Sequence, residues 1–128
     1  MDRATFERWL ERYVEAWKTY DEDAIGDLFS ESATYRYHPW DDPVSGRAAI
    51  IADWLENRED PDSWAAEYHP WAIDGDRAVA VGVSRYLGED RATVEREYHN
   101  VFLCRFDDDG RCLEFTEVFL KRSEGLSG

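Results

Sequence analysis

The spacing of apolar residues changes near Ser63, and this change restricts the folds that the chain can adopt. Before Ser63, apolar residues recur every three to four positions, as on one face of an α-helix. After Ser63 they alternate with polar residues, as in β-strands with one buried face. The pattern predicts an α+β fold in which helices precede an antiparallel sheet and cover one of its faces.

Three helices are predicted in the first half of the chain. Residues 3–20 form the first helix, because their apolar side chains fall on one stripe. The stripe consists of Phe6, Trp9, Leu10, Tyr13, Trp17 and Tyr20. A short second helix begins at residues 21–23, and a third covers residues 47–58. Between these two helices, residues 33–38 favour a strand and residues 39–46 a loop.

The second half predicts a meander of four strands. The predicted strands are residues 64–73, 77–87, 93–106 and 111–121. Asp74-Gly75 and the run from Asp107 to Gly110 supply hairpin turns between them. A strongly bent sheet covered by three helices leaves a pocket along its concave face. We expect all 128 residues to form one domain, because two separate cores would each be too small.

The charge of the chain excludes some partners. Asp and Glu number 29 against 15 Lys and Arg, so the net charge is −14. Nucleic acids and anionic membranes attract proteins mainly through Lys and Arg, and we expect neither as a partner. The chain lacks an apolar run of the roughly 18 residues that a membrane helix needs. Its N-terminus is charged where a signal peptide is apolar, so we expect a cytoplasmic protein.

Neither the cysteines nor the histidines predict a metal site. The spacing of Cys104 and Cys112 fits no zinc pattern. The three histidines each follow a tyrosine, but strand alternation places His99 on the sheet face opposite Asn100. We therefore expect no metal and no cofactor.

Short motifs spread over nearly the whole chain resemble those of a known superfamily. They are Arg12 to Trp17, Asp21-x-Asp23-Ala24-Ile25, Leu28-Phe29, Ala33 to Tyr35, Pro39…Gly46-Arg47…Ile50, and Arg105 to Arg111. These motifs are similar to those of the nuclear transport factor two-like superfamily, and within it of the SnoaL-like and ketosteroid-isomerase-like proteins. The resemblance implies three helices on a bent sheet that encloses a conical pocket. It does not imply one reaction, because the superfamily includes isomerases, cyclases, dehydratases, epoxide hydrolases and non-catalytic members.

The resemblance can be carried over at three site positions. Tyr13 matches the first-helix tyrosine that donates into the oxyanion hole of ketosteroid isomerases. His38 stands before Pro39, where those enzymes have an aspartate as general base. Phe102 occupies the position of their second, protonated acid. Because two of the three groups differ, we do not expect steroid isomerisation by that mechanism.

Strand alternation provides a second candidate base. If Phe102 faces the pocket, so do Arg96, Tyr98 and Asn100 on the same strand. On the last strand, the resemblance places Phe119 inward, and Leu113, Phe115 and Glu117 share its face. A carboxyl group among aromatic rings should have a raised pKa, which suits proton transfer near neutral pH. Two interpretations stay open and are compatible: Glu117 transfers protons, or it forms a structural ion pair with Arg96.

These inferences define a candidate site and function. The predicted catalytic residues are His38 and Glu117. The predicted ligand-binding residues are Tyr13, Trp17, Trp54, Tyr98, Asn100, Phe102 and Phe119. We expect a pocket protein for a small apolar or aromatic ligand, possessing isomerase, cyclase or dehydratase activity through proton transfer without a cofactor. The alternative is a binding or dimeric interaction module that lacks catalysis.

The outer face of the sheet predicts a homodimer. On the predicted strand 93–106, the residues of this face are Glu95, Glu97, His99, Val101 and Leu103. Apolar and charged side chains mix on this face, which the helices leave uncovered. We expect His99, Val101 and Leu103 to lie in or near the dimer contact.

Overall fold

A computed structural model of the chain describes residues 1–122, and its helices lie where the periodicity predicts them. They are α1 (Arg3–Thr19), α2 (Glu22–Leu28) and α3 (Arg47–Glu56). The Asp2 carboxylate accepts from the Thr5 N–H at 2.8 Å and caps α1. Tyr20 ends α1 in the left-handed conformation, with φ of 52°, and its N–H bonds to the Ala16 carbonyl.

Six strands form one open sheet. They are β1 (Phe29–Arg36), β2 (Val44–Ser45), β3 (Trp64–Asp74), β4 (Arg77–Leu87), β5 (Val94–Phe106) and β6 (Cys112–Lys121). Their order across the sheet is β2-β1-β6-β5-β4-β3. The expected α+β arrangement of three helices and a sheet is confirmed.

The sheet is mixed, whereas the sequence predicts an antiparallel one. β1 pairs in parallel with β6, and the other neighbouring strands are antiparallel. A parallel pair needs a long connection, and α3 together with β3, β4 and β5 provides it. β1 also begins at Phe29, four residues before the predicted start at Ala33. The predicted loop at 39–46 contains β2, which pairs Ser45 with Thr34 of β1.

Aromatic side chains of α1 meet the inner face of the sheet in the core. Phe6 and Trp9 are almost fully buried, and both rings contact Phe106 of β5 edge-on, at 5.6 and 5.3 Å between centroids. The Trp9 indole N–H donates to the Leu28 carbonyl at 3.0 Å, which ties α1 to the end of α2. The helices therefore cover the inner face, and the aromatic stripe of α1 sets their distance from it.

A bulge corrects the predicted alternation at the start of β6. Arg105 pairs with Glu114, but Phe106 pairs with Cys112, so β6 has one extra residue between the two pairs. Cys112 is consequently buried in the core, and Leu113, which alternation places there, is only half-buried. Beyond the bulge, Phe115 points into the core as predicted.

Gly82 gives Tyr68 room on the inner face of the sheet. The two residues are paired across β3 and β4. A Cβ atom at position 82 would overlap the Glu67 carbonyl oxygen and the Tyr68 ring, and would lie 2.8 Å from the Tyr68 Cα. Two of these obstacles belong to backbone, so a rotamer change of Tyr68 cannot remove the overlap.

We predict that Gly82→Ala lowers the free energy of unfolding by about 1–3 kcal/mol, because the strands must separate to accept the methyl group. Gly26→Ala is the matched control. Its Cβ would meet only the ends of flexible side chains, at 3.5 Å from Ile51 Cδ1. Since Gly26 lies within α2, this change should raise the free energy by up to about 1 kcal/mol. Urea titration of both variants checks the prediction, and equal stabilities would contradict it.

Candidate functional site

A cavity of about 300 Å³ opens between the helices and the inner face of the sheet. Most of its wall is aromatic. Among the residues predicted to bind ligand or act on it, those on the wall are Tyr13, Trp17, Trp54, Tyr98, Asn100, Glu117 and Phe119. Helix-face spacing and strand alternation therefore bring α1, α3, β5 and β6 together around one space.

Sequence reasoning missed part of the wall. The further lining residues are Tyr20, Tyr35, Tyr37, Asn57, Glu59, Tyr68, Ser84 and Tyr86. Arg96, which strand alternation placed toward the pocket, also lines it. Alternation along β1 could have identified Tyr35 and Tyr37 together with Ala33, because residues two apart share a face. Tyr86 could have been found in the same way from Ser84 on β4. Glu59 lies in the connection after α3, for which the sequence has no periodic signal.

Glu117 lies on the cavity wall, between Phe115 and Phe119 along the inner face of β6. Its Oε1 accepts a hydrogen bond from Asn100 Nδ2 at 2.9 Å. The Asn100 Oδ1 in turn accepts from the Ser84 hydroxyl at 3.1 Å, which fixes the orientation of the amide. This chain of hydrogen bonds holds the carboxyl group at the cavity.

Burial raises the pKa of Glu117 to about 7, against an ordinary value of 4.5. The hydrogen bond from Asn100 and the nearby His38 lower this pKa in part, because both stabilise the charged carboxylate. Near neutral pH, Glu117 is therefore present in both protonated and ionised forms. A group in that condition can both accept and return a proton.

The structure does not contain the ion pair between Glu117 and Arg96. Within residues 1–122, no Lys, Arg or His nitrogen lies within 4.0 Å of the Glu117 carboxylate. The Arg96 guanidinium lies over the Tyr86 ring, at 4.5 Å from its centroid, and donates to the Tyr98 hydroxyl at 3.3 Å. Glu117 is thus held by a neutral amide instead of a cation.

Two tyrosine hydroxyls meet at the cavity wall. The hydroxyl oxygens of Tyr13 and Tyr35 are 2.9 Å apart, and one donates to the other. Burial raises the pKa of both phenols well above its ordinary value, so both are neutral at neutral pH. Since the pair uses only one of its two protons internally, the other is available for an acceptor on a ligand.

His38 and Phe102 lie outside the cavity wall. His38 Nδ1 bonds to the Asp41 carboxylate at 2.8 Å, and its ring stacks on Trp40. The His38 ring is also 5.3 Å from the Phe119 ring, so its contact with the site passes through Phe119. Phe102 is buried behind the wall, with its ring 5.2 Å from that of Tyr13.

The mouth of the cavity has aromatic and charged groups. Trp17 stacks on Trp64 at 3.6 Å between ring centroids. The Glu59 N–H donates to the Tyr20 hydroxyl at 2.9 Å. Burial raises the pKa of the Glu59 carboxyl, and the nearby Arg96 lowers it in part.

The histidines are dispersed over the molecule. His69 and His99 are exposed on strands β3 and β5, and His99 Nε2 lies 3.1 Å from Glu97. Within residues 1–122, no cluster of three or more His, Cys, Asp or Glu side chains is placed to hold a metal ion. In the same range, no helix is long and apolar enough to span a membrane.

Comparison with known proteins places this geometry among related folds. The sequence model of the SnoaL-like domain family matches residues 10–115. No curated protein sequence matches the chain.

Several solved structures share the fold at low sequence identity. A ketosteroid isomerase candidate from Kribbella flavida has a TM-score of 0.72 and 18% identity, over 99% of this chain and 86% of that one. An NTF-2 like protein of unknown function from Burkholderia xenovorans has a TM-score of 0.71 and 16% identity, over 96% and 88% of the two chains. The epoxide hydrolase/cyclase-like enzyme SalBIII, which has a role in pyran ring formation in salinomycin, has a TM-score of 0.71 and 21% identity, over 93% of each chain.

We predict that Glu117 makes the stability of the protein depend on pH. Its pKa is about 7 in the folded chain and near 4.5 when unfolded, so the folded state binds the proton more tightly. The contribution of Glu117 to the free energy of unfolding should therefore be full below pH 4.5 and fall as pH rises to about 7. The melting temperature of Glu117→Gln relative to the parent should rise between pH 5 and pH 8. The exposed Glu114 lies on the same strand, and Glu114→Gln should show no such trend. A pH-independent difference for Glu117→Gln would contradict the prediction.

Proposed function

Because the chain belongs to the SnoaL-like domain family, we propose that its cavity binds a small organic molecule and moves a proton on it. One observation carries the proposal: the Glu117 carboxyl lies on an aromatic cavity wall, held by an amide and unpaired with any cation of residues 1–122. Such a group is costly to bury and is suited to exchange a proton at neutral pH. The reaction class is isomerisation, cyclisation or dehydration that begins at a carbon next to a carbonyl.

The ionised Glu117 removes a proton from that carbon. The electron pair of the broken C–H bond moves to the carbonyl oxygen and forms an enolate. The hydroxyl pair of Tyr13 and Tyr35 donates a hydrogen bond to this oxygen and stabilises its charge. The protonated Glu117 then returns the proton to a second carbon, which completes an isomerisation and restores the carboxylate.

Asn100 and His38 support Glu117 in this scheme. Asn100 fixes the carboxylate by its 2.9 Å hydrogen bond and is itself fixed by Ser84. His38 stands where the resemblance places the base, but Asp41 binds its Nδ1 and the ring is outside the cavity wall. We therefore assign proton transfer to Glu117, with His38 as a nearby group that favours the ionised form.

The ligand we propose is aromatic or alicyclic. Tryptophan and tyrosine rings make up most of the wall, and flat rings pack well against such surfaces. A volume of about 300 Å³ accommodates a molecule of two or three fused rings and lies at the small end of ligand sites.

We predict that the protein accelerates exchange of the α-hydrogens of 2-tetralone, a bicyclic ketone, for deuterium in D₂O. Glu117→Gln should lower this exchange at least about 100-fold, because general-base catalysis contributes about 10²–10⁴-fold. Proton NMR measures the exchange, and thermal shift measures whether 2-tetralone binds. Glu114→Gln, on the outer face of the same strand, should exchange as the parent does.

Each result identifies one of the alternatives. Binding of 2-tetralone without faster exchange would replace catalysis with a ligand-binding module. Absence of both would contradict the proposal. If Glu117→Gln and Glu117→Leu both melt far below the parent, Glu117 has a structural role and its functional assignment fails.

We further propose that the protein is a homodimer formed through the outer face of the sheet. Val81, Val101 and Val118 form one row across β4, β5 and β6, and Val79 pairs with Leu103 in another. These residues alternate with the core residues, so they point away from the helices. A second copy would cover this apolar area.

We predict a particle of twice the 15.0 kDa chain mass by light scattering in 0.15 M salt, where charge repulsion is largely screened. Leu103→Glu should convert it to a monomer, because a charge would then enter the contact. Leu103 is 44% exposed in the single chain. Trp40→Glu is the control, since Trp40 is 80% exposed but lies outside the sheet. A monomeric parent would overturn the proposal.

A further inference from the structure

Arg96 is the only cationic side chain on the cavity wall formed by the described residues 1–122. It is exposed, whereas Asn100 is buried on the same face of the same strand. The two residues are four positions apart on β5, which corresponds to about 13 Å along an extended strand. Arg96 therefore marks the mouth of the cavity, while Asn100 and Glu117 lie further inside.

The guanidinium of Arg96 is oriented by tyrosines. Its Cζ lies over the Tyr86 ring at 4.5 Å from the ring centroid, and the group donates one hydrogen bond, to the Tyr98 hydroxyl. Within residues 1–122, no carboxylate oxygen lies within 4.0 Å of it. Its remaining N–H groups can thus bind a ligand, and the Tyr98 hydroxyl can donate its own proton to the same group.

We propose, building on the function proposed above, that Arg96 and Tyr98 bind a carboxylate of the ligand at the cavity mouth. The substrate class is then an aromatic or alicyclic carboxylic acid whose reactive carbon reaches Glu117. The planar fork of arginine matches the two oxygens of a carboxylate.

The negative charge of the rest of the molecule favours a ligand group with one negative charge over a group with two. The chain has a net charge of −14, and Glu59 lies near Arg96 on the same wall. A dianionic group such as a phosphate would meet more repulsion there than a carboxylate with one charge. Without Arg96, the cavity wall formed by the described residues would carry only acidic and neutral side chains, so neutral ligands would be favoured.

A pair of probes that differ in charge tests the proposal. Isothermal titration calorimetry in 0.15 M salt at pH 7.5 compares 2-naphthoate with its neutral counterpart 2-naphthamide. The parent should bind naphthoate about tenfold more tightly, as expected for a charge-assisted hydrogen-bonded pair at a partly exposed site. Arg96→Gln should remove this preference, because the affinity for naphthoate should fall about tenfold more than the affinity for naphthamide.

Arg105→Gln is the matched control, because Arg105 lies on the same strand but outside the cavity wall. It should keep the preference of the parent. Equal affinity of the parent for both probes, or a preference that survives in Arg96→Gln, would overturn the role of Arg96 while the cavity remains a ligand site. If neither probe binds to the parent, the proposed ligand-binding function fails and the inference fails with it.

Discussion

Contact between the aromatic stripe of α1 and the inner face of the sheet is the interaction on which the candidate site depends. Trp9 stands at its centre, with its ring near Phe106 and its indole N–H bonded to the Leu28 carbonyl. One helical turn further along, Tyr13 packs on Phe115 at 5.5 Å and presents its hydroxyl to Tyr35. The same stripe thus fills the core at one end and forms the cavity wall at the other. A shift of α1 would change both.

The cavity wall contains a titratable carboxyl group at a position where burial of an apolar side chain would cost less free energy. The Glu117 side chain loses water on the aromatic wall, and a single amide offsets part of this cost. Ser84, Asn100 and Glu117 form a linear chain of hydrogen bonds in which each group orients the next. Burial outweighs these hydrogen bonds, so the pKa of Glu117 is raised although a donor stabilises its charged form.

Charge is distributed differently over the two faces of the sheet. On the outer face, Glu97 lies within ion-pair distance of Arg85, Arg122 and His99. These charges surround it, and the pKa of the Glu97 carboxyl falls to about 2, chiefly through hydrogen bonds from His99 and Arg122. On the inner face, Glu117 has no such partner among the described residues. Two glutamates of one sheet therefore have opposite pKa shifts, because positively charged groups donate to Glu97, whereas Glu117 is desolvated and accepts only from a neutral amide.

Local periodicity determined much of this protein. The apolar stripe of residues 3–20 predicted α1 to within one residue, and alternation predicted β4 at its observed bounds. Alternation along each strand grouped Asn100 with Phe102 and Glu117 with Phe119, and the family resemblance, which matched Phe102 and Phe119 to pocket positions, then placed both pairs on the inner face. These features are local, since backbone geometry alone decides which neighbouring side chains point the same way.

Tertiary structure decided what depends on residues distant in the chain. The parallel pairing of β1 with β6 brings Tyr35 beside Tyr13, and no local pattern encodes which strands become neighbours. The depth of a side chain in the cavity was also undecided: the family resemblance placed Phe102 on the correct face, but Tyr13 and Tyr68 cover it. Whether Arg96 forms an ion pair with Glu117 depended on how far apart the two side chains lie along the sheet. It also depended on Tyr86, whose ring holds the guanidinium. Periodicity sets the direction of a side chain, whereas packing across the molecule sets its depth and its partners.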